Sequence, residues 1–331
     1  MDMTRLEEIL KKEPNYRLRQ AKQALFRDLI EDWSLASVLP KILREELNEK
    51  CPIKINAQAF ISEDQSTAKV LVTLKDGLKI ESVLMRHKDG RNTVCISSQV
   101  GCPLGCHFCA TGKMEFKRNL EVFEIVEQVL FFARYLKKIR GRVTNIVFTG
   151  MGEPFLNYEN VLSAIRVLNN KEDFNLGARR FSISTVGIVE GIEKLTKENL
   201  EVNLAISLHA PDNKLRSKIM PVNKKYPIGK ILRAVDDYIE KTRRRVMFEY
   251  IMIKDLNDSA ECARKLAGLI KRPLYFVNLI SYNPTGIFEP SPFEKIKEFK
   301  EILKREGVPV TQRYRFGRSI KAACGQLAGK G

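Results

Sequence analysis

The chain has 331 residues, 44% apolar and 29% charged, the composition of a folded globular protein with ample material for a core. Its 57 lysines and arginines face 40 acids, and the net charge of +17 calls for an anionic partner, nucleic acid first. The longest uncharged apolar stretch, 274–288, is interrupted by Asn278, Ser281, Asn283 and Pro284, which excludes a membrane helix of roughly 20 apolar residues.

In chain order, residues 4–50 read as helices, with Leu6, Leu10, Leu18, Ala21, Leu25 and Leu29 near helical spacing and Pro14 and Pro40 as punctuation. Residues 53–86 turn β-rich, with strands at 68–74 and 78–85 joined at Asp76-Gly77. Lys88-Asp89-Gly90 marks the main boundary, so the expected domains are 1–50, 51–88 and 89–331. Beyond it short apolar strands alternate with amphipathic helices. The strands are 93–97, 145–149, 181–185, 202–207, 246–251 and 275–280; the helices include 121–138, 158–168, 228–241, 259–271 and 292–305. This βα alternation predicts an α/β fold around a parallel sheet, either doubly wound or a barrel, with the site at the strands' C-terminal ends.

The charge is uneven. Residues 1–50 are balanced, and the surplus concentrates in 213–245, including Arg243-Arg244-Arg245, and in the tail 304–330. Two clusters of one sign predict a surface for a polyanion. Seven cysteines without regular spacing, behind an N-terminus lacking a signal peptide, suit free or metal-bound thiols in a reducing cytoplasm.

Cys102-Pro-Leu-Gly-Cys106-His-Phe-Cys109 follows the first strand of the repeat. Three thiolates in eight residues hold a soft metal rather than pack a core. A structural zinc requires four ligands, and His107, adjoining Cys106, is poorly placed to be the fourth. The triplet resembles the motif of radical S-adenosylmethionine (SAM) enzymes. That implies a [4Fe–4S] cluster on Cys102, Cys106 and Cys109, one iron being left open for SAM. Gly150-Met-Gly152-Glu153-Pro154 resembles the segment that holds the methionine amino group in those enzymes, Gly152 through its backbone and Glu153 through its carboxylate.

Further stretches narrow the resemblance. Cys95-Ile-Ser-Ser-Gln-Val-Gly-Cys102, Cys109-Ala-Thr-Gly-Lys113, Ser207-Leu-His-Ala-Pro211 and Ala322-Ala-Cys324-Gly-Gln-Leu327 are similar to the RlmN/Cfr family of radical SAM RNA methyltransferases, in that family's order. The resemblance implies a partial (β/α)6 barrel of the TIM type, with a small helical and β accessory domain that binds RNA. It implies a cytoplasmic monomer that methylates adenosine C2 in the peptidyl-transferase centre of 23S rRNA and beside the anticodon of tRNA, with flavodoxin or ferredoxin as electron donor. Pro154 favours this over methylation of C8, the Cfr activity.

By the same resemblance Cys324 is the methyl carrier and Cys95 the thiol that resolves the RNA adduct. Glu81 would be the proton acceptor, and Ser184, Ser207, Leu208, His209 and Asn283 the contacts to SAM. Cys51 and Cys262 match no such position and read as packing. Three departures stand out: Thr149 where the family often has Met, read as a packing change; Met114-Glu115 for a Gln-Gly pair; and 316–321 for a more acidic segment.

Overall fold

The computed structural model describes residues 3–313, 316–317 and 319–329; Arg315, Arg318 and Lys330 of the basic tail lie outside them. The chain opens with three helices, α1 (Met3–Leu10), α2 (Tyr16–Phe26) and α3 (Lys41–Lys50). Leu6, Leu10, Ala21 and Leu25 are buried, as their spacing requires, around Trp33, whose indole Nε1 donates to the Cys51 carbonyl at 2.8 Å.

An antiparallel meander follows: β1 (Ala57–Ile61), β2 (Thr67–Thr73) and β3 (Lys79–Arg86). β1 was not among the expected strands. β3 pairs antiparallel with β4 (Asn92–Cys95), so the meander and the βα repeat share one ten-stranded sheet. After β4 a small hairpin, β5 (Gln99–Val100) and β6 (Arg118–Asn119), brackets the cysteine loop.

The repeat then runs α4 (Val122–Lys138), β7 (Asn145–Phe148), α5 (Tyr158–Asn169), β8 (Phe181–Thr185), α6 (Val189–Leu195), β9 (Asn203–Ser207), α7 (Asn213–Ile219), α8 (Ile228–Thr242), β10 (Val246–Met252), α9 (Ala260–Ile270), β11 (Tyr275–Ser281), α10 (Phe293–Arg305) and β12 (Val310–Gln312). All six expected strands are present and parallel, in the order β4-β7-β8-β9-β10-β11, and β12 adds a seventh. Three residues are too few for β12 to show a period, and α6 and α7, seven residues each, are nearly as short.

The sheet ends at β1 and β12 and does not close on itself. It curls, because one cavity is lined both by Val83, Met85 and Cys95 from β3 and β4 and by Ile280 and Ser281 from β11. The C-terminal segment spans the gap. Arg313 follows β12, Phe316 packs edge-on against His87 beyond β3 at 4.8 Å, and Ala328 reaches Glu81 on β3.

One buried cation organises the strand ends. Arg216 on α7 has all five donors engaged: Nε to the Leu208 carbonyl, Nη1 to Asn223 Oδ1 and the Tyr226 carbonyl, Nη2 to the carbonyls of Val186 and Ser207. Burial lowers its pKa to about 10. Its planar fork, which lysine lacks, joins the loops after β8 and β9 to α7.

The run Arg243–Arg245, read from the sequence as part of a polyanion surface, has two of its side chains engaged within the fold. It lies at the N-terminal end of β10, the end opposite the cavities. Arg244 donates to the Val202 carbonyl and to Asn203 at the start of β9, and Arg245 stacks 4.6 Å from the Phe276 ring. Arg244 and Arg245 secure this end of the sheet, and Arg243 is exposed.

Arg216→Met keeps the bulk and removes five hydrogen bonds from buried acceptors, so it is expected to destabilise the fold by about 3 kcal/mol or more in urea denaturation.

Candidate active site

The C-terminal ends of the parallel strands surround a cavity whose lining includes Cys102, Cys106, Cys109, Gly152, Glu153, Ser184, Ser207, His209 and Cys324. A second cavity, toward the open side of the barrel, contains Cys95, Asn283, Arg313 and again Cys324. Nearly all the expected site residues are therefore gathered in two adjoining spaces, with one thiol common to both.

The cysteine loop folds where it does because Gly101 precedes it. Its φ is +75°, and a Cβ there would fall 2.1 Å from the Glu115 carbonyl oxygen. The loop is fastened to its surroundings: the His107 amide donates to the Ile219 carbonyl of α7, and Phe108 meets His209 edge-on at 4.9 Å. Burial first, and then the Glu153 charge and Cys109, raise Cys102 to about 12; burial, and then Cys109 and Cys102, raise Cys106 well above the usual thiol range. Thiolates here need a nearby cation.

Among the described residues no three His, Cys, Asp or Glu side chains are grouped as ligands of one ion. A multi-iron cluster takes each thiolate on a different iron, so three cysteines that share a wall without converging on one point fit such a group. In the second cavity Asn283 is buried, with Oδ1 lacking a hydrogen-bond partner while Nδ2 donates to the Cys324 carbonyl at 3.2 Å.

Glu153 is held rigidly. One oxygen accepts from the Phe155 amide at 3.0 Å and the other from the Val186 amide at 2.9 Å, across from β7 to β8. Burial raises its pKa to about 7, so an ammonium seated beside it would restore its charge. Gly152 turns the chain at φ +97°, where a Cβ would lie 2.5 Å from that of Gln99.

Ser184 and Ser207 converge on a residue the sequence reading did not select. Glu249 of β10 accepts from Ser184 at 2.5 Å, from Ser207 at 3.4 Å, and through its other oxygen from Arg313 at 2.9 Å. Its carbonyl also receives the amides of Leu208 and His209. Leu208 is fully buried and lines neither cavity, while His209 adopts φ +60° and accepts from the Ile251 amide through Nδ1. With Nδ1 an acceptor, the proton sits on Nε2, and burial lowers the pKa to about 4.

Cys95 is buried, and its sulfur lies 3.1 Å from Thr149 Oγ1. Thr149 lines both cavities, which corrects its reading as a packing change. Cys324 is itself exposed although Ala322 and Ala323 before it are buried, and the protein around it raises its pKa to about 12. Arg313 opposes burial at both Cys95 and Cys324, lowering each. Glu81 stands apart: it lines neither cavity and is paired with Lys69 at 2.8 Å.

Two missed residues left different traces. Glu249 is the one charge in the strand Val-Met-Phe-Glu-Tyr-Ile-Met, and an acid within a strand of a covered parallel sheet has to find partners. Arg313 had no such mark within a basic tail.

Comparison with known proteins agrees with this geometry. Residues 96–266, just over half of the chain, match the Radical SAM superfamily. A protein of Dictyoglomus thermophilum named "Probable dual-specificity RNA methyltransferase RlmN" is 47% identical over 317 residues, covering 95% of this chain and 91% of its own. The "Ribosomal RNA large subunit methyltransferase N" of Nitrosopumilus maritimus is 43% identical over 94% of this chain and 92% of its own. The crystal structure of a radical SAM methyltransferase from Sphaerobacter thermophilus superposes with a TM-score of 0.95 at 43% identity, covering 100% of this chain and 98% of that one. With the cysteine loop, the strand-end cavity and these near full-length likenesses in agreement, the chain belongs to the RlmN family of radical SAM RNA methyltransferases.

Proposed function

We propose that this enzyme methylates C2 of adenosine in 23S rRNA and in tRNA, with Cys324 carrying the methyl group and Cys95 releasing the product. The observation that carries this reading is the position of Cys324 in the lining of both cavities, one shared with the three loop cysteines and the other with Cys95. A thiol so placed faces a methyl donor on one side and a base and a second thiol on the other.

Cys102, Cys106 and Cys109 would hold the cluster, and Gly152, Glu153, Ser184, Ser207, His209 and Asn283 would surround SAM. The group so held supplies, when reduced by a flavodoxin or ferredoxin, reductive cleavage of SAM to a carbon radical. The remaining work falls to the chain. Cys324 attacks the SAM methyl group as a thiolate, and S-adenosylhomocysteine leaves. The radical supplied by SAM cleavage would take one hydrogen atom from the S-methyl group, whose carbon then bonds C2, and the adduct gives up one electron to the oxidised donor. Cys95 then attacks the Cys324 sulfur; the S–S bond forms and the carbon–sulfur bond breaks with its electron pair on carbon. That carbon takes a proton, C2 loses its own, and the methylated base leaves. Arg313, between the thiols and anchored by Glu249, favours the thiolate form of each.

Cys102→Ala, Cys106→Ala and Cys109→Ala are each expected to abolish the brown chromophore of anaerobically reconstituted protein and SAM cleavage together. Turnover in any one of them would remove that residue from the ligand set.

Cys95→Ala is expected to accumulate protein covalently attached to RNA on denaturing gels, whereas Cys324→Ala leaves RNA unmodified and unattached. Mass mapping of the wild-type product tests the regiochemistry, and 8-methyladenosine in place of 2-methyladenosine overturns the C2 assignment.

Arg313→Gln removes the cation that opposes burial, so the thiol of Cys324 titrates at higher pH. The pH profile of Cys324 methylation by SAM, followed by intact mass without RNA, is expected to move to the alkaline side. At neutral pH loading is expected to slow by about tenfold, the effect of roughly one pKa unit. An unmoved profile would remove Arg313 from thiol activation.

A further inference from the structure

Glu81 has an environment that neither cavity accounts for. It lies on β3, is 1% exposed, and faces Lys69 of β2, itself 5% exposed, with 2.8 Å between Nζ and Oε1. In the β2–β3 register Lys69 opposes Val83 and Leu71 opposes Glu81, so the two charges are diagonal neighbours on one face. The Lys69 ammonium also lies 5.3 Å from the Phe60 ring centroid. A buried ion pair is stable only when its remaining hydrogen-bonding capacity is filled. Here the C-terminal segment serves one of the two oxygens: Glu81 Oε2 accepts from the amides of Ala328 at 2.6 Å and Gly329 at 3.1 Å, while Oε1 is left to the Lys69 charge alone.

Those amides come four and five residues after Cys324. Among the described residues the same segment has four other ties: the Ala110 amide to the Gly325 carbonyl at 2.7 Å, Thr111 Oγ1 to the Leu327 carbonyl at 2.7 Å, Asn283 to the Cys324 carbonyl at 3.2 Å and Gln326 Nε2 to the Pro284 carbonyl at 3.2 Å. Two of the four start just beyond Cys109, so they join the Cys324 segment to the cysteine loop itself. Only the Glu81 tie is charge-assisted, which makes it the strongest kind in the set. It is also the one that fastens the segment's far end to the antiparallel side of the open barrel.

We propose that Glu81, balanced by Lys69, is a positioning residue that anchors the C-terminal segment and thereby sets the Cys324 thiol between the two cavities. The anchor rests on backbone amides alone and is independent of the base being modified. Its consequence for catalysis rests on the reading of Cys324 as methyl carrier.

The test separates this role from proton transfer at the base, because methyl loading of Cys324 needs no RNA. Two variants attack the same bond from opposite ends: Glu81→Gln removes the charge, and Ala328→Pro removes the amide while leaving the carboxylate in place. Full-length protein with its cluster reconstituted is compared with wild type by hydrogen exchange over 322–329 and by the rate of Cys324 methylation from SAM without RNA. Both variants are expected to raise exchange and to slow loading by about tenfold or more, the worth of one charge-assisted hydrogen bond. Retained chromophore intensity reports an intact fold for each. Wild-type exchange in both variants overturns the anchor, as does normal loading by Ala328→Pro with a defect confined to Glu81→Gln on RNA. If exchange rises in both but wild-type protein itself never methylates Cys324, the anchor stands and the carrier assignment falls.

Discussion

A sheet of seven parallel strands extended by an antiparallel meander does not close through its own hydrogen bonds, and the rest of this molecule is arranged around that gap. A closed barrel fills its interior with side chains. This one leaves room at the strand ends, and its C-terminal segment crosses from β12 to the β3 side. The segment that crosses the opening is also the one that brings Cys324 to the lining of both cavities.

The interior so formed carries buried charges. Glu153, Glu249 and Arg216 are all buried at the strand ends, and each is matched by donors or acceptors from a neighbouring strand or loop. Such groups are costly unless satisfied, so each one fixes the relative position of the elements that satisfy it. Glu249 holds Ser184 and Ser207 on one side and Arg313 on the other, which links the wall of the first cavity to the thiols of the second. Arg216 needs no anion because five oxygens surround it, and its charge opposes burial at the Cys106 thiol nearby. Chemistry that needs thiolates and excludes stray water suits such a setting.

Much of this was legible along the chain. Strands 181–185 and 246–251 and helix 158–168 emerged within a residue or so of their limits, because apolar periodicity is a local property. The cysteine triplet and the Gly-Met-Gly-Glu-Pro turn are short patterns whose chemistry depends on neighbours a few residues away, and both line the cavity that the repeat predicts at the C-terminal strand ends. The pattern of the motifs also sufficed for the family.

Tertiary structure decided the rest, because a sequence records neighbours along the chain and not across a sheet. Arg243–Arg245 attracts notice through charge alone, yet whether it meets the cavity depends on which end of β10 it occupies, and it occupies the far one. Thr149 reads as packing until the adjacent strand places the Cys95 sulfur against its hydroxyl. Glu81 sits in a strand buried on both faces, and nothing local distinguishes a proton acceptor from a carboxylate that grips two amides from the other end of the chain. The residues that specify the chemistry were readable in order; the contacts between Cys95, Arg313, Glu249 and Cys324 exist only because an open sheet curls and a tail closes it.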